Sequence, residues 1–280
     1  MKMGILYIVA TPIGNLADIS QRALDILNQV AVIAAEDTRH SQKLLQHYGI
    51  KKTLISLHEY NEQARAQQIL EMLAEGKDIA LISDAGTPTI SDPGYRLIKS
   101  AHVAAITVVP IPGACAAIAA LSASGLPTEQ FIFEGFLPSK ATQRKQRLQA
   151  LSSETRTLIF YEAPHRVVEF FNDLITVFGP EREAVLAKEL TKTFEKVMAG
   201  TLPELKNWLE ADVARVQGEF VILIHGAVAA TEDADAEIAI RNTLKILANE
   251  LPLKQAVALT AQLTGAKKNW VYELALQSKM

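Results

Sequence analysis

The chain has 280 residues, 49% of them hydrophobic and 21% charged, which is enough apolar material for two packed domains and is not a disordered composition. Its net charge of -3 excludes a protein that coats nucleic acid by bulk electrostatics and leaves only a local basic patch for such contact. One cysteine, Cys115, excludes an intramolecular disulfide and a cysteine-rich metal framework and leads us to expect a reducing, cytoplasmic setting; the opening run MKMGILYIVATPIG, broken by Pro12 and Gly14, is too short for an export signal or a membrane span.

In chain order, residues 4–10 form a continuous apolar run ended by turn residues, which predicts a buried strand, and 19–30 carry apolar residues at helical spacing. The alternation recurs with strands at 32–35, 53–57, 79–82 and 105–109 and helices at 41–48, 63–73, 94–101 and 114–123. Such a series predicts a mainly parallel sheet covered by helices. Residues 124–130, with Gly125 and Pro127, read as a boundary. A second series follows, with strands at 131–136, 157–161, 183–188, 193–199 and 220–225 and helices at 141–151, 166–178 and 203–210. The short turn after 188 predicts antiparallel pairing there. Beyond Gly226 come three helical patterns at 234–249, 253–263 and 267–278, the last two separated by Gly265; this is helix-turn-helix grammar, which any helical hairpin shares. The expected division is therefore 1–123, 124–228 and a helical extension at 229–280.

In an open α/β sheet the ligand crevice lies beyond the carboxyl ends of the strands. That rule selects the loops 10–16, 36–40, 58–62, 83–91 and 110–114, which are rich in Pro, Gly and polar residues that let the backbone approach a ligand. The first loop has Gly14 but no GxGxxG, so a dinucleotide site is disfavoured, and GxxxxGK[ST], HExxH and GxSxG are all absent. The six histidines show no paired ligand spacing, so no metal is expected. By residues alone the reading stops at an α/β enzyme with a polar crevice.

Residues 4 to about 225 resemble the tetrapyrrole methylase superfamily, the class III methyltransferases. VATPIGNLADIS at 9–20 stands where the superfamily has VGxGPGDPxLLT and keeps Gly14; AGTPTISDPG at 85–94 stands for GGDPxIFGRG and keeps Gly86, Pro88, Ile90 and Gly94; PIPGACAAIAALSASGLPT at 110–128 matches the third motif. The departures, together with AEDTRHSQKLL, SLHEYNE, FYEAPHR and KELTKTFE, resemble the branch that methylates ribosomal RNA, and the helical tail fits that branch.

The resemblance implies two α/β domains with S-adenosylmethionine folded into the cleft between them, a small helical extension, and 2′-O-methylation of a cytidine in small-subunit (16S) ribosomal RNA, with the assembled 30S subunit as partner and a homodimer as the working form. Carried over by position, the cofactor contacts fall on Pro12, on Ser83, Asp84, Ala85, Gly86 and Thr87, on Ile90, Cys115, Ala116, Tyr161 and Glu162, and more weakly on Gly218 and Glu219. Transfer to a ribose hydroxyl benefits from a positioned base. Asp37, at the end of the second strand on the ligand edge, is the first candidate, with Arg39 binding phosphate or holding that carboxylate ionised; His58, Glu59, Lys188 and Glu189 are the others, and an ion pair that stiffens the crevice is as good a reading of each. Between Phe136 and Arg166 six basic residues, Lys140, Arg144, Lys145, Arg147, Arg156 and Arg166, face two acidic ones, Glu154 and Glu162; of these Lys140, Arg144, Lys145, Arg147 and Arg166 are expected to meet RNA phosphates, joined by Lys267 and Lys268 in the tail, with Trp270 stacking on a base or packing its helices together. Two other readings use the same residues: methylation of a tetrapyrrole or other small molecule, and a regulator that senses a ligand and binds DNA through 253–278.

Overall fold

The structure, a computed structural model, describes residues 3–228 and 232–277. The chain forms two compact units, Met1–Gly226 and Ala227–Met280. In the first unit the apolar run Leu6–Val9 is strand β1, followed by α1 (Gln21–Gln29), β2 (Val32–Ala35), α2 (Thr38–His47), β3 (Thr53–Ser56), α3 (Glu62–Ala74), β4 (Ile79–Ile82), α4 (Tyr95–Val103), β5 (Val108–Ile111) and α5 (Ala116–Ser124). The five strands pair in the order β3-β2-β4-β1-β5, all parallel. Strands β2 and β4 are buried throughout, as expected of a parallel sheet covered on both faces. One face packs Leu6, Leu81, Ile69 and Leu97, the other Val9, Ile33, Leu27 and Leu45.

Strand β5 starts three residues later than the apolar run 105–109 suggests. Ala105 leaves α4 with φ +54, so 105 belongs to the turn, and Pro110 sits in the strand because β5 is an edge that pairs only with β1.

The second series gives β6 (Phe131–Phe136), α6 (Ala141–Ala150), β7 (Thr157–Glu162), α7 (Val167–Phe178), β8 (Glu183–Lys188), β9 (Lys196–Thr201), α8 (Leu202–Glu210) and β10 (Phe220–Ile224). Their order is β6-β7-β10-β8-β9; β6 runs parallel to β7 and the other pairs are antiparallel. One face of this sheet packs Phe160, Leu186 and Ile222 on Phe170, Phe171, Leu174 and Leu205. The other face receives α5: Ala117, Ala120 and Leu121 lie on Ile159, Val185, Val221 and Leu223. In packing terms, then, the last helix of the first series lies on the second sheet. Strand β9 begins at Lys196, not 193, because Glu189 and Thr191 take positive φ (+50 and +66) and extend the turn after β8.

The second unit contains α9 (Glu232–Glu250), α10 (Leu253–Thr264) and α11 (Lys268–Gln277). Gly265 ends α10 in the left-handed region at φ +71, where glycine carries no Cβ penalty. Its core is Leu244, Ala256, Val257, Val271, Leu274 and Ala275, with Trp270 packed against them. Among the described residues no helix is long and apolar enough to cross a membrane.

Candidate active site

Three loops at the carboxyl ends of β1, β4 and β5 are laced together. Thr11 and Gly86 exchange backbone hydrogen bonds at 2.8 and 3.1 Å, the Thr11 hydroxyl donates to the Ser83 carbonyl at 3.2 Å, and the Thr87 hydroxyl donates to the Ala114 carbonyl at 3.0 Å. Such close approach demands small residues: a Cβ on Gly113 would stand 2.8 Å from the Ala10 methyl, and Gly86 holds φ +82. The 83–94 loop is further held by Glu62, a buried carboxylate that accepts from the N–H groups of Gly94 (3.2 Å) and Arg96 (2.8 Å) and so caps α4.

These loops form one wall of a cavity of about 320 Å³ whose other wall comes from the second sheet. Of the residues carried over as cofactor contacts, Ala85, Gly86, Thr87, Ile90, Cys115, Ala116, Tyr161, Glu162 and Glu219 line it, whereas Pro12, Ser83, Asp84 and Gly218 do not. Gly218 has a different duty: at φ +92, any Cβ there would overlap the Glu189 carboxylate packed beneath it. Tyr161 ties β7 to α5, since its hydroxyl accepts from the Ala117 N–H at 3.0 Å and thereby caps α5, which Cys115 does not. Burial pushes the Tyr161 phenol up, keeping it protonated.

The sequence reading missed Asp92, Ser91, Phe136, Pro164 and Leu190, all of which line the cavity. Asp92 lay in plain view inside SDPG, but as a turn residue before Pro93. Phe136 ends β6 and Leu190 lies in the turn after β8 of the mostly antiparallel sheet, to which the strand-end rule does not apply. Four of the five non-glycine residues with positive φ in the described chain, Thr89, Ser91, Glu189 and Thr191, flank the cavity loops on its two sides; strain of this kind concentrates at functional sites.

Charge in the cavity is one-sided: Asp92, Glu162 and Glu219 line it, and no lysine, arginine or histidine does among the described residues. Glu162 is paired with Arg166 at 3.0 Å and accepts from the Ala163 N–H, though burial still raises its pKa. Glu219 is paired with Lys192 at 3.1 Å. Asp92 has no ion pair among the described residues, and burial, with Glu36 and Asp84 nearby, pushes it up to about 6.

None of the six catalytic candidates lines the cavity. Asp37 caps α2, accepting from the Arg39 N–H at 2.8 Å and from its guanidinium at 2.9 Å, and its own N–H donates to Asp84 at 3.0 Å. The hydrogen bonds from Arg39 hold the Asp37 carboxyl down at about 2. His58 has Nε2 3.1 Å from the Asn61 amide and a buried Nδ1 without a partner; Glu59 is exposed; Lys188 is buried on β8, with its backbone in register with Phe220 and Lys196.

The basic stretch is largely engaged. Arg144 is fully buried, donating to Asp173 at 2.6 Å and Glu169 at 2.8 Å, so it is a core ion-pair residue and not a surface phosphate contact. Arg166 is half-buried on Glu162 and the Leu137 carbonyl, Arg147 grips Glu134 through two bonds, and Lys145 pairs with Asp173 at 3.3 Å. Lys140, Lys267 and Lys268 are exposed and carry no ion pair among the described residues. Trp270 is a packing residue of the helical core.

The family model for Tetrapyrrole (Corrin/Porphyrin) Methylases matches residues 5–206. The chain belongs to the tetrapyrrole methylase family. A second model, described as the RsmI C-terminal HTH domain, matches residues 232–279, so this methylase carries a helix-turn-helix-type extension. Among relatives, a Pseudomonas aeruginosa protein named Ribosomal RNA small subunit methyltransferase I is 53% identical over 99% of this chain and 98% of its own, and its Escherichia coli O157:H7 namesake is 52% identical over 99% and 96%. Solved structures with the same tetrapyrrole methylase fold include a diphthine synthase (TM-score 0.61, 16% identity, covering 79% of this chain and 90% of that one) and the methyltransferase CobJ (0.59, 20%, 80% and 95%).

Proposed function

We propose that this methylase transfers the methyl group of S-adenosylmethionine to the ribose 2′-oxygen of a cytidine in small-subunit ribosomal RNA. The observation that carries the reading is identity above one half, sustained through the helical tail, to proteins named Ribosomal RNA small subunit methyltransferase I. The cavity fits the donor. Its volume of about 320 Å³ falls within the span of roughly 300–1,000 Å³ usual for small-molecule sites. Its lining is mostly small and apolar, and its ionisable carboxylates suit a cationic ligand better than a phosphate. When bound, S-adenosylmethionine supplies a methyl group already activated by its sulfonium.

With the leaving group activated, the chain's main task is alignment of the hydroxyl behind the methyl. Ala85, Gly86, Thr87, Ile90, Cys115, Ala116, Tyr161 and Glu162 are the wall against which the donor is held, while the Ser83 carbonyl and the Asp84 carboxylate tie the loops together by accepting from the Thr11 hydroxyl and the Asp37 N–H. Asp37, kept ionised by Arg39, suits an acceptor that orients the ribose hydroxyl; a carboxyl titrating near 2 stores a proton poorly at neutral pH. Lys140, Lys267 and Lys268 are the cations left for phosphates. The target nucleotide has to be unstacked for its ribose to enter, which a folded loop of the assembled 30S subunit provides. A cytoplasmic homodimer is the form in which we expect it to work, checked by a solution mass twice that of the chain.

The test uses purified protein with methyl-labelled S-adenosylmethionine and, separately, naked small-subunit RNA and assembled subunits that lack the modification. Label should enter the assembled subunit, and alkali should fail to cleave after the labelled cytidine. Label in no RNA form overturns the substrate; cleavage at the labelled nucleotide overturns the 2′-oxygen.

A further inference from the structure

Among the described residues, Asp92 is the one charge lining the cavity that has no ion-pair partner. Glu162 has Arg166 and Glu219 has Lys192, both within 3.1 Å. Only the nearby Ser83 hydroxyl, itself 3.4 Å from the Ala85 and Gly86 carbonyls, favours the charged form of Asp92, and the ionisable groups around it, Glu36 at the end of β2, Asp84 after β4 and Tyr161 on β7, add no positive charge. It stands just past Ser91, held at φ +69 on the cavity wall. A carboxylate kept half-buried and unpaired in an apolar wall is costly to the fold unless a cation arrives to balance it.

The donor proposed above has one net positive charge to offer. Its amino-acid end is zwitterionic and carries its own counter-charge and N–H donors. The sulfonium has neither, and attraction to it is Coulombic. Taking that proposed function as given, we propose that Asp92 recognises the sulfonium charge, so that the protein holds S-adenosylmethionine more tightly than the neutral thioether S-adenosylhomocysteine. Methyl transfer would then remove the charge that Asp92 balances and weaken the hold on the product.

A cation beside Asp92 shifts its titration downward by about 1 to 3 pH units, and the same free energy amounts to about tenfold in affinity per pH unit. The free carboxyl, at about 6, is half protonated at pH 6, so binding the sulfonium there releases about half a proton per site. Isothermal titration calorimetry of the full chain at pH 6 and pH 8, in buffers of different ionisation enthalpy, counts those protons for three ligands: S-adenosylmethionine, S-adenosylhomocysteine, and sinefungin, which carries an ammonium where the donor carries its sulfonium methyl. Expected is release with S-adenosylmethionine and sinefungin at pH 6, none with S-adenosylhomocysteine, and none with any of them at pH 8. In Asp92→Asn the release should vanish and the preference for S-adenosylmethionine over S-adenosylhomocysteine should fall about tenfold at pH 8. Retained binding of S-adenosylhomocysteine shows that the variant is folded, and if it is not, the three ligands on the unaltered protein decide the matter. Equal release with S-adenosylmethionine and S-adenosylhomocysteine would place Asp92 at the shared amino-acid end and overturn the proposal, as would release with neither. Failure of all three ligands to bind overturns the methyl-donor reading itself.

Discussion

Residues with the same formal charge have opposite roles here, and pH separates them. Asp37 titrates low because Arg39 bonds its charged form, so that interaction is intact above the ordinary carboxyl value of 3.8 and is lost only as pH falls through about 2. The pH profile of methyl transfer should therefore show no limb from Asp37 between pH 5 and 9, and Asp37→Asn should lower turnover without moving the profile. Asp92 is the reverse case: its carboxyl is raised, so it favours the fold below 3.8 and that contribution is lost as pH rises through about 6. Asp92→Asn should therefore melt about 2 °C higher than the unaltered protein at pH 8, solvent screening holding the gain to about 1 kcal/mol, and at the same temperature at pH 4. Arg144 makes the contrast in cations. Arg144→Met leaves the buried Asp173 with Lys145 alone at 3.3 Å and should cost about 3 kcal/mol in urea unfolding, with the salt dependence of RNA binding unchanged wherever the variant is folded. The burial of Arg144 was legible in principle, since 141, 144, 148 and 151 fall on one helical stripe that ends in Leu148 and Leu151. A basic run attracts attention to its charge before its spacing. Asp92 was harder to find, because what distinguishes it is the lack of a partner from distant strands, which no local pattern records.

At the level of elements, the strands and helices of both series were readable from apolar runs and turn residues, and their ends shifted where single residues take positive φ, as Ala105 and Glu189 do. The strand-end rule found the wall built by the parallel sheet and missed the opposing wall, because an antiparallel sheet has no single carboxyl edge. Helix α4 shows how an element and the site depend on each other. Its first turn is capped from α3 by Glu62, and that cap also fixes the end of the 83–94 loop. Glu62→Ala should cost about 1 kcal/mol of stability and weaken binding of S-adenosylhomocysteine by more than that, as read by calorimetry beside a thermal melt. Equal losses in the two measurements would mean the loop is held by other contacts.

Across the whole molecule, the helical tail has its own core and was recognisable as three helices from spacing alone. Which of its faces meets a partner was not, since a helical hairpin reads alike whether it packs or binds. If Lys267 and Lys268 meet phosphates, replacing both with Ala should reduce the slope of log affinity against log salt by about 2 and leave donor binding untouched. The two sheets, by contrast, share one compact unit, and their seam beside the cavity depends on missing side chains. A Cβ on Gly14 would stand 2.6 Å from Lys192 of the opposite half, and one on Gly135, at φ +62 in the β6 bulge, would stand 2.9 Å from Ser91. Gly14 is exposed and belongs to the core of neither sheet, whereas Gly135 is buried in β6 and its positive φ strains any replacement. A bulky residue at Gly14 acts as a wedge, holding two intact halves apart beside the cavity proposed for the methyl donor. Such a protein would express well and melt near the usual temperature, yet gain nothing from saturating S-adenosylhomocysteine, where about 2.7 kcal/mol is due at a hundredfold excess over Kd. Survival of heat is thus uninformative about whether this cleft still closes.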